Sequence, residues 1–138
     1  MSDACQKLVA NVFSSKCFSR GALQHLTGRW GSLTMVALIE SDSPMRFAEI
    51  RRRIEGISDR MLSQTLSQLE RDGMVHRSVK SSIPPHVDYS LTELGIKVAQ
   101  PLQELTRVIE GELPKVIQAQ ELYDAAQELY DAAQERAQ

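Results

Sequence analysis

Cysteine is scarce in this chain. Cys5 and Cys17 are the only two, too few for a disulfide framework. In a reducing cytosol both would rest as thiols. With His25, His76 and His86 they give no zinc-binding spacing, so no metal or other cofactor is expected. Long apolar runs are also missing, and nothing reaches the length of a membrane span. The start, MSDACQKLVANVF, has no charged n-region, long apolar core or small-residue cleavage site. That is the expectation for a cytoplasmic protein, not an exported one. No glycine-rich phosphate loop, paired-carboxylate arrangement or nucleophile motif occurs, which argues against an enzyme. Cys17 and His25 are eight residues apart, about two turns on one helix and too far for a catalytic hydrogen bond.

What is present is an ordinary globular composition, 42% apolar and 25% charged, in a length suited to one domain. The net charge of −2 hides an asymmetry. Residues 46–80 carry 8 basic against 5 acidic side chains, whereas residues 100–138 carry 3 against 8. A basic middle and an acidic tail put the candidate anion-binding surface in the middle.

Periodicity places helices over about 3–13 (Leu8, Val9, Val12, Phe13), 18–26, and from Trp30 through Leu33, Val36, Ala37 and Leu38. Trp30 on that stripe reads as core. A short helix follows in RFAEIRRRIE, with Phe47, Ile50 and Ile54 on one face. Ser58 then N-caps a helix that Gly73 stops. Leu62, Leu66 and Leu69 line one side of it, with Arg60, Ser63, Gln64, Ser67 and Arg71 opposite. The acids Asp59, Glu70 and Asp72 sit on the flanks. After Gly73 the period becomes two. MVHRSV and HVDYSL read as strands of a hairpin carrying Lys80, with a tip stiffened by Pro84 and Pro85, and Tyr89 packs beneath it. Thr92 is placed to cap a long helix that Pro101 and Pro114 should kink or divide. The tail repeats QELYDAA at 120–126 and 127–133. Ala119, Leu122, Ala126, Leu129 and Ala133 have the spacing of a coiled-coil seam, but only about two heptads of it. An amphipathic helix packed on its own chain or on a partner subunit is therefore expected, and Tyr123 and Tyr130 read as interface packing.

Helix, turn, helix and hairpin in that order make a winged helix-turn-helix, mainly α with a small β-hairpin wing. A helix fits the major groove, where Gln and Ser bond base edges and Arg grips guanine. Arg46, Ser58, Arg60, Ser63, Gln64, Ser67 and Arg71 are the candidate contacts on or near the helices. Arg77, Lys80 and His86 are those on the wing, and Arg51, Arg52 and Arg53 could add backbone contacts. Double-stranded DNA is the expected partner. A winged helix lent to protein contacts is the rival on these features.

Longer runs carry a resemblance. Gly28-Arg29-Trp30, Arg46-Phe47-Ala48-Glu49-Ile50, Gly56-Ile57-Ser58, Leu62-Ser63, Leu69 to Val75 (LERDGMV), and Pro84 to Gly95 (PPHVDYSLTELG) resemble the HxlR-type transcriptional regulators over about residues 17–110. The resemblance implies a homodimer on an inverted-repeat operator, with N- and C-terminal helices forming the dimer interface. A single domain follows, with a DNA-binding core at about 17–95 and with 1–16 and 96–138 as dimerisation helices and tail. In the family a cysteine thirteen residues before the tryptophan can act as a thiol switch, and Cys17 stands thirteen before Trp30. The resemblance thus implies control by an oxidant or electrophile. Phe18 replaces the usual proline after that cysteine, and Thr27-Gly28-Arg29 replaces Gly-Gly-Lys. Lys16 and Arg20 would favour the thiolate, and Cys5 is a candidate resolving partner. A small-molecule inducer bound between the dimer helices and the DNA head is the rival mode of control.

Overall fold

The computed structural model describes residues 9–138. They divide into two compact units, one reaching Gln103 and the other spanning Glu104–Gln138. Elements run in the order α1 (Phe18–Thr27), α2 (Arg29–Glu40), β1 (Met45–Arg46), α3 (Phe47–Arg53), α4 (Asp59–Arg71), β2 (Val75–Lys80), β3 (His86–Leu91), α5 (Glu93–Gly111) and α6 (Leu113–Arg136). The fold is mainly helical, with one small antiparallel sheet.

The core forms where the apolar periods meet. Met35 and Leu38 of α2, Ile50 of α3, Leu62, Leu66 and Leu69 of α4, Val75 of β2 and Ala99 of α5 make one buried cluster. Each fully buried leucine in it contributes about 1.5–3 kcal/mol. Helix α2 is buried over Thr34–Leu38, and Thr34 satisfies its hydroxyl by donating to the Trp30 carbonyl at 2.7 Å. Leu33, expected on the apolar stripe, is exposed instead. Trp30 packs half-buried against the cluster's edge.

Two turns set the direction of α4. Gly56 (φ +92°) lies between α3 and α4, and Gly73 (φ +78°) between α4 and β2; both need the left-handed backbone that glycine adopts without a steric cost. Ser58 caps α4, its Oγ accepting from the Met61 N–H at 3.1 Å. Thr92 ties the far end of α4 to α5. Its hydroxyl donates to the Gly73 carbonyl at 2.6 Å and accepts from the Gly95 N–H at 2.9 Å.

The wing has a third strand that the sequence did not reveal. The order is β1-β3-β2, with Met45 opposite Tyr89 and Arg46 opposite Asp88. Two residues after Pro44 are too short to show a period. In β2 only Val75 is buried, and Val79 is 62% exposed because the hairpin runs out beyond the core.

Three expectations need correction or limits. Residues 9–13 are not helical, and Val9 and Phe13 are exposed. A short helix without packing for its apolar side is marginal. The remainder of that expected helix, with Cys5, lies outside the described residues. Helix α5 continues through Pro101. The break comes at Glu112, and Pro114 occupies the first turn of α6, where its missing N–H costs nothing. Helix α6 is continuous through the duplicated heptads and buries none of its residues.

Candidate nucleic-acid interface

Helix α4 turns Leu62, Thr65, Leu66 and Leu69 into the core. That leaves Arg60, Ser63, Gln64, Ser67 and Arg71 exposed on the outer side. Two of the three acids of this stretch are paired, while Glu70 stays exposed on the flank beside Ser63 and Ser67. Asp59 accepts a 2.8 Å ion pair from Arg51, which also ties α3 to the start of α4. Asp72, at the other end, bonds His25. Met61 and Gln68 lie on one flank of this face. Met61 is 37% exposed, although a methionine at helical spacing reads as core.

The wing lies beside this face. A polar crevice of about 320 Å³ is lined by Ser63, Ser67 and Glu70 of α4 and by Arg77 and Tyr89 of the sheet. Tyr89 packs half-buried on the core, as its alternation indicated. Lys80 ends β2 in full view of solvent. His86 is less free: its Nδ1 shares a hydrogen with Ser82 Oγ at 3.1 Å, and its Nε2 lies 3.6 Å from Asp88. Ser58 spends its hydroxyl on the α4 cap. Arg46, on β1, is exposed; its backbone N–H donates to Glu49 Oε1 at 3.2 Å. Arg53 pairs loosely with Glu40 at 3.8 Å.

Cys17 is a free, half-buried cysteine and the N-cap residue of α1. Its thiol is held below the usual thiol range, first by the Asn11 backbone N–H (3.4 Å from Sγ) and then by the Ser19 hydroxyl at 3.0 Å. Of the expected basic neighbours, Arg20 acts elsewhere: it donates to the Val12 and Phe13 carbonyls at 2.9 and 2.7 Å. Because the thiolate is the nucleophile, alkylation by iodoacetamide should reach half its maximal rate at a lower pH than for a free thiol. In Ser19→Ala the inflection should move up. A profile coinciding with free cysteine would contradict this account.

The sequence separates Cys17 from α4, but the fold joins them. Cys17 and Arg20, with His25 from the end of α1, share a crevice of about 690 Å³ with Arg71 and Asp72 at the end of α4. His25 Nδ1 and Asp72 Oδ2 are 2.6 Å apart across it. No local pattern signals a contact between residues 47 positions apart. The bond also occupies the histidine that a Cys–His pair would need.

No helix among the described residues is long and apolar enough to cross a membrane. A family model described as HxlR-like helix-turn-helix matches residues 25–116. The HTH-type transcriptional regulator YtfH of Escherichia coli is 46% identical over 107 residues, which are 78% of this chain and 83% of YtfH. The solved structure of the transcriptional regulator ytfH from Salmonella typhimurium superposes with a TM-score of 0.76 at 43% identity, covering 82% of this chain and 99% of that one. The redox regulator HypR in its reduced form gives a TM-score of 0.63 at 34% identity, over 73% of this chain and 97% of HypR. With a winged helix-turn-helix in place, a family model spanning more than half its length and such relatives, the chain belongs to the HxlR-like helix-turn-helix family of transcriptional regulators.

Proposed function

We propose that the protein is a homodimeric, sequence-specific DNA-binding regulator of an inverted-repeat operator, acting in the cytoplasm. The observation that carries this reading is the outer face of α4, where arginine and neutral hydrogen-bonding side chains stand exposed, Asp59 and Asp72 are paired, and Glu70 is kept to the flank. Arg60, Ser63, Gln64 and Ser67 read base edges in the major groove, and Met61 can meet a thymine methyl. Arg46, Ser58, Arg71, Arg77, Lys80 and His86 lie against the backbone, with His86 releasing Ser82 to do so. Two such helices about 34 Å apart would fit half-sites one DNA turn apart. Residues 1–16 and 96–138 supply dimer contacts. Exposed Leu94, Ile96, Leu105, Val108 and Ile109 on α5 are apolar surface suited to that role.

Cys17 is the proposed switch for an oxidant or electrophile. Its lowered pKa supports this, as does the description of HypR as a redox regulator. The shared crevice offers a route within one subunit, from the start of α1 through His25–Asp72 to the end of α4.

The expected result for Gln64→Ala is a loss of about 1–3 kcal/mol on operator DNA and little on random DNA. Lys80→Ala should weaken both alike and shallow the salt dependence. Fluorescence anisotropy on the two DNAs checks each variant, and equal losses for Gln64→Ala would count against base reading there. Diamide should change operator affinity reversibly in the wild type and not in Cys17→Ser. If Cys17→Ser responds like the wild type, the trigger lies elsewhere.

A further inference from the structure

The acidic tail stands outside the matched family region, which ends at residue 116. In α6 the run Val116, Ala119, Tyr123, Ala126, Tyr130 and Ala133 is spaced three and four residues apart. At about 100° per residue it forms one stripe. Large and small side chains alternate along it without exception. Leu122 and Leu129 border the stripe on one side, Gln120, Gln127 and Gln134 on the other. All five carboxylates of the segment (Glu121, Asp124, Glu128, Asp131 and Glu135) fall within about 80° on another side. The stripe is bare: Leu122, Tyr123, Leu129 and Tyr130 are each 59–71% exposed. A hollow is already formed on it, lined by Val116, Ala119, Gln120, Tyr123 and Asp124. The first four are the i, i+3, i+4 and i+7 positions that make a knobs-into-holes socket.

We infer that this stripe docks on the same stripe of a second copy as an antiparallel helix pair. A parallel pair would set tyrosine on tyrosine and alanine on alanine, demanding a different helix separation at each layer. Reversing one helix sets every large residue against a small one: Val116 on Ala133, Ala119 on Tyr130, Tyr123 on Ala126, then the symmetric three. Facing layers of that kind interdigitate at constant separation, and the arrangement is self-complementary as a two-fold interface requires. Tyr130 of one copy enters the hollow over Ala119 of the other. Of the five carboxylates only Asp124 lines the hollow, and none falls on the stripe itself, so the tail's negative charge opposes the pairing only weakly. Two heptads are too short to associate alone. The inference therefore rests on the proposed homodimer, whose other contacts raise the tails' effective concentration.

Sedimentation equilibrium of the full chain tests it, with circular dichroism to confirm that exposed-site variants stay folded. Tyr130→Glu should weaken self-association roughly tenfold or more, as removal of a central aromatic anchor does. Raising the salt well above physiological strength should leave wild-type association nearly unchanged, because no charge pair is screened. Direction is read by oxidation in a Cys5→Ser/Cys17→Ser background. Ala119→Cys and Tyr130→Cys proteins should cross-link when mixed, and neither should when alone. Cross-linking of either single variant with itself would overturn the antiparallel pairing. Unchanged association of Tyr130→Glu, or dimers dissolved by salt, would overturn the docking itself. Operator binding measured on the same samples keeps the outcomes separate: a protein that binds operator specifically while its tail proves idle sinks only this inference.

Discussion

Replacing Gly95 with alanine should lower the unfolding free energy by about 3 kcal/mol and take DNA binding down with it. Gly95 lies in the first turn of α5, where an added Cβ would overlap the Met74 carbonyl oxygen and touch Leu91. That carbonyl accepts from the Thr92 N–H at 3.0 Å, and the neighbouring Gly73 carbonyl accepts from the Thr92 hydroxyl. The side chain cannot be accommodated without moving α5 from the turn that carries α4 into the wing. Interiors packed at crystal density do not absorb such a shift cheaply. Urea unfolding measures the loss, and stability within about 0.5 kcal/mol of wild type would show that this junction gives way easily.

The second large effect falls on binding with the fold intact. Arg60→Glu puts a carboxylate on the one side of α4 that lacks an unpaired acid near its first turns. Arg60 is exposed and is not a core residue, so circular dichroism should not change. Like charge against the phosphates costs several kcal/mol, and affinity should fall by about a hundredfold, equivalent to roughly 2.7 kcal/mol. The same reversal at Glu121→Lys should leave operator affinity within a factor of about two, because Glu121 belongs to neither α4 nor the wing. Anisotropy titrations at one fixed salt concentration read both. If Arg60→Glu bound as tightly as wild type, α4 would not be the surface that meets DNA.

The parts of the fold that were legible in the sequence are those written locally. Helix α4 announced itself through Ser58 as cap, three leucines at helical spacing, and Gly73 at a position that needs positive φ. The wing showed in its change of period from 3.6 to 2. Strand β1 did not, because two residues after a proline carry no period, and only the register against Tyr89 and Asp88 makes them a strand. The expected first helix failed over residues 9–13, where apolar spacing was present but the described structure gives those side chains nothing to pack on.

The surroundings of Cys17 show the same divide. Its place at the start of a helix was readable, yet the groups lowering its pKa were not its basic neighbours in sequence. A backbone N–H from Asn11 and the Ser19 hydroxyl do that, and the former depends on how the chain folds back. The link from α1 to α4 through His25 and Asp72 is tertiary and had no local signal. Charge sorting, by contrast, was legible on α4, since helical geometry converts sequence spacing directly into faces.

The most direct test of the central claim is an anisotropy titration of reduced protein against DNA from immediately upstream of its own gene, with random DNA of equal length, at several salt concentrations. The account predicts clear preference for the upstream DNA. It also predicts a steep fall of affinity with salt on both DNAs, with a log–log slope of roughly −0.9 per phosphate contacted. Affinity that is indifferent to both sequence and salt would contradict it, and would mean that the exposed face of α4 is turned to another partner.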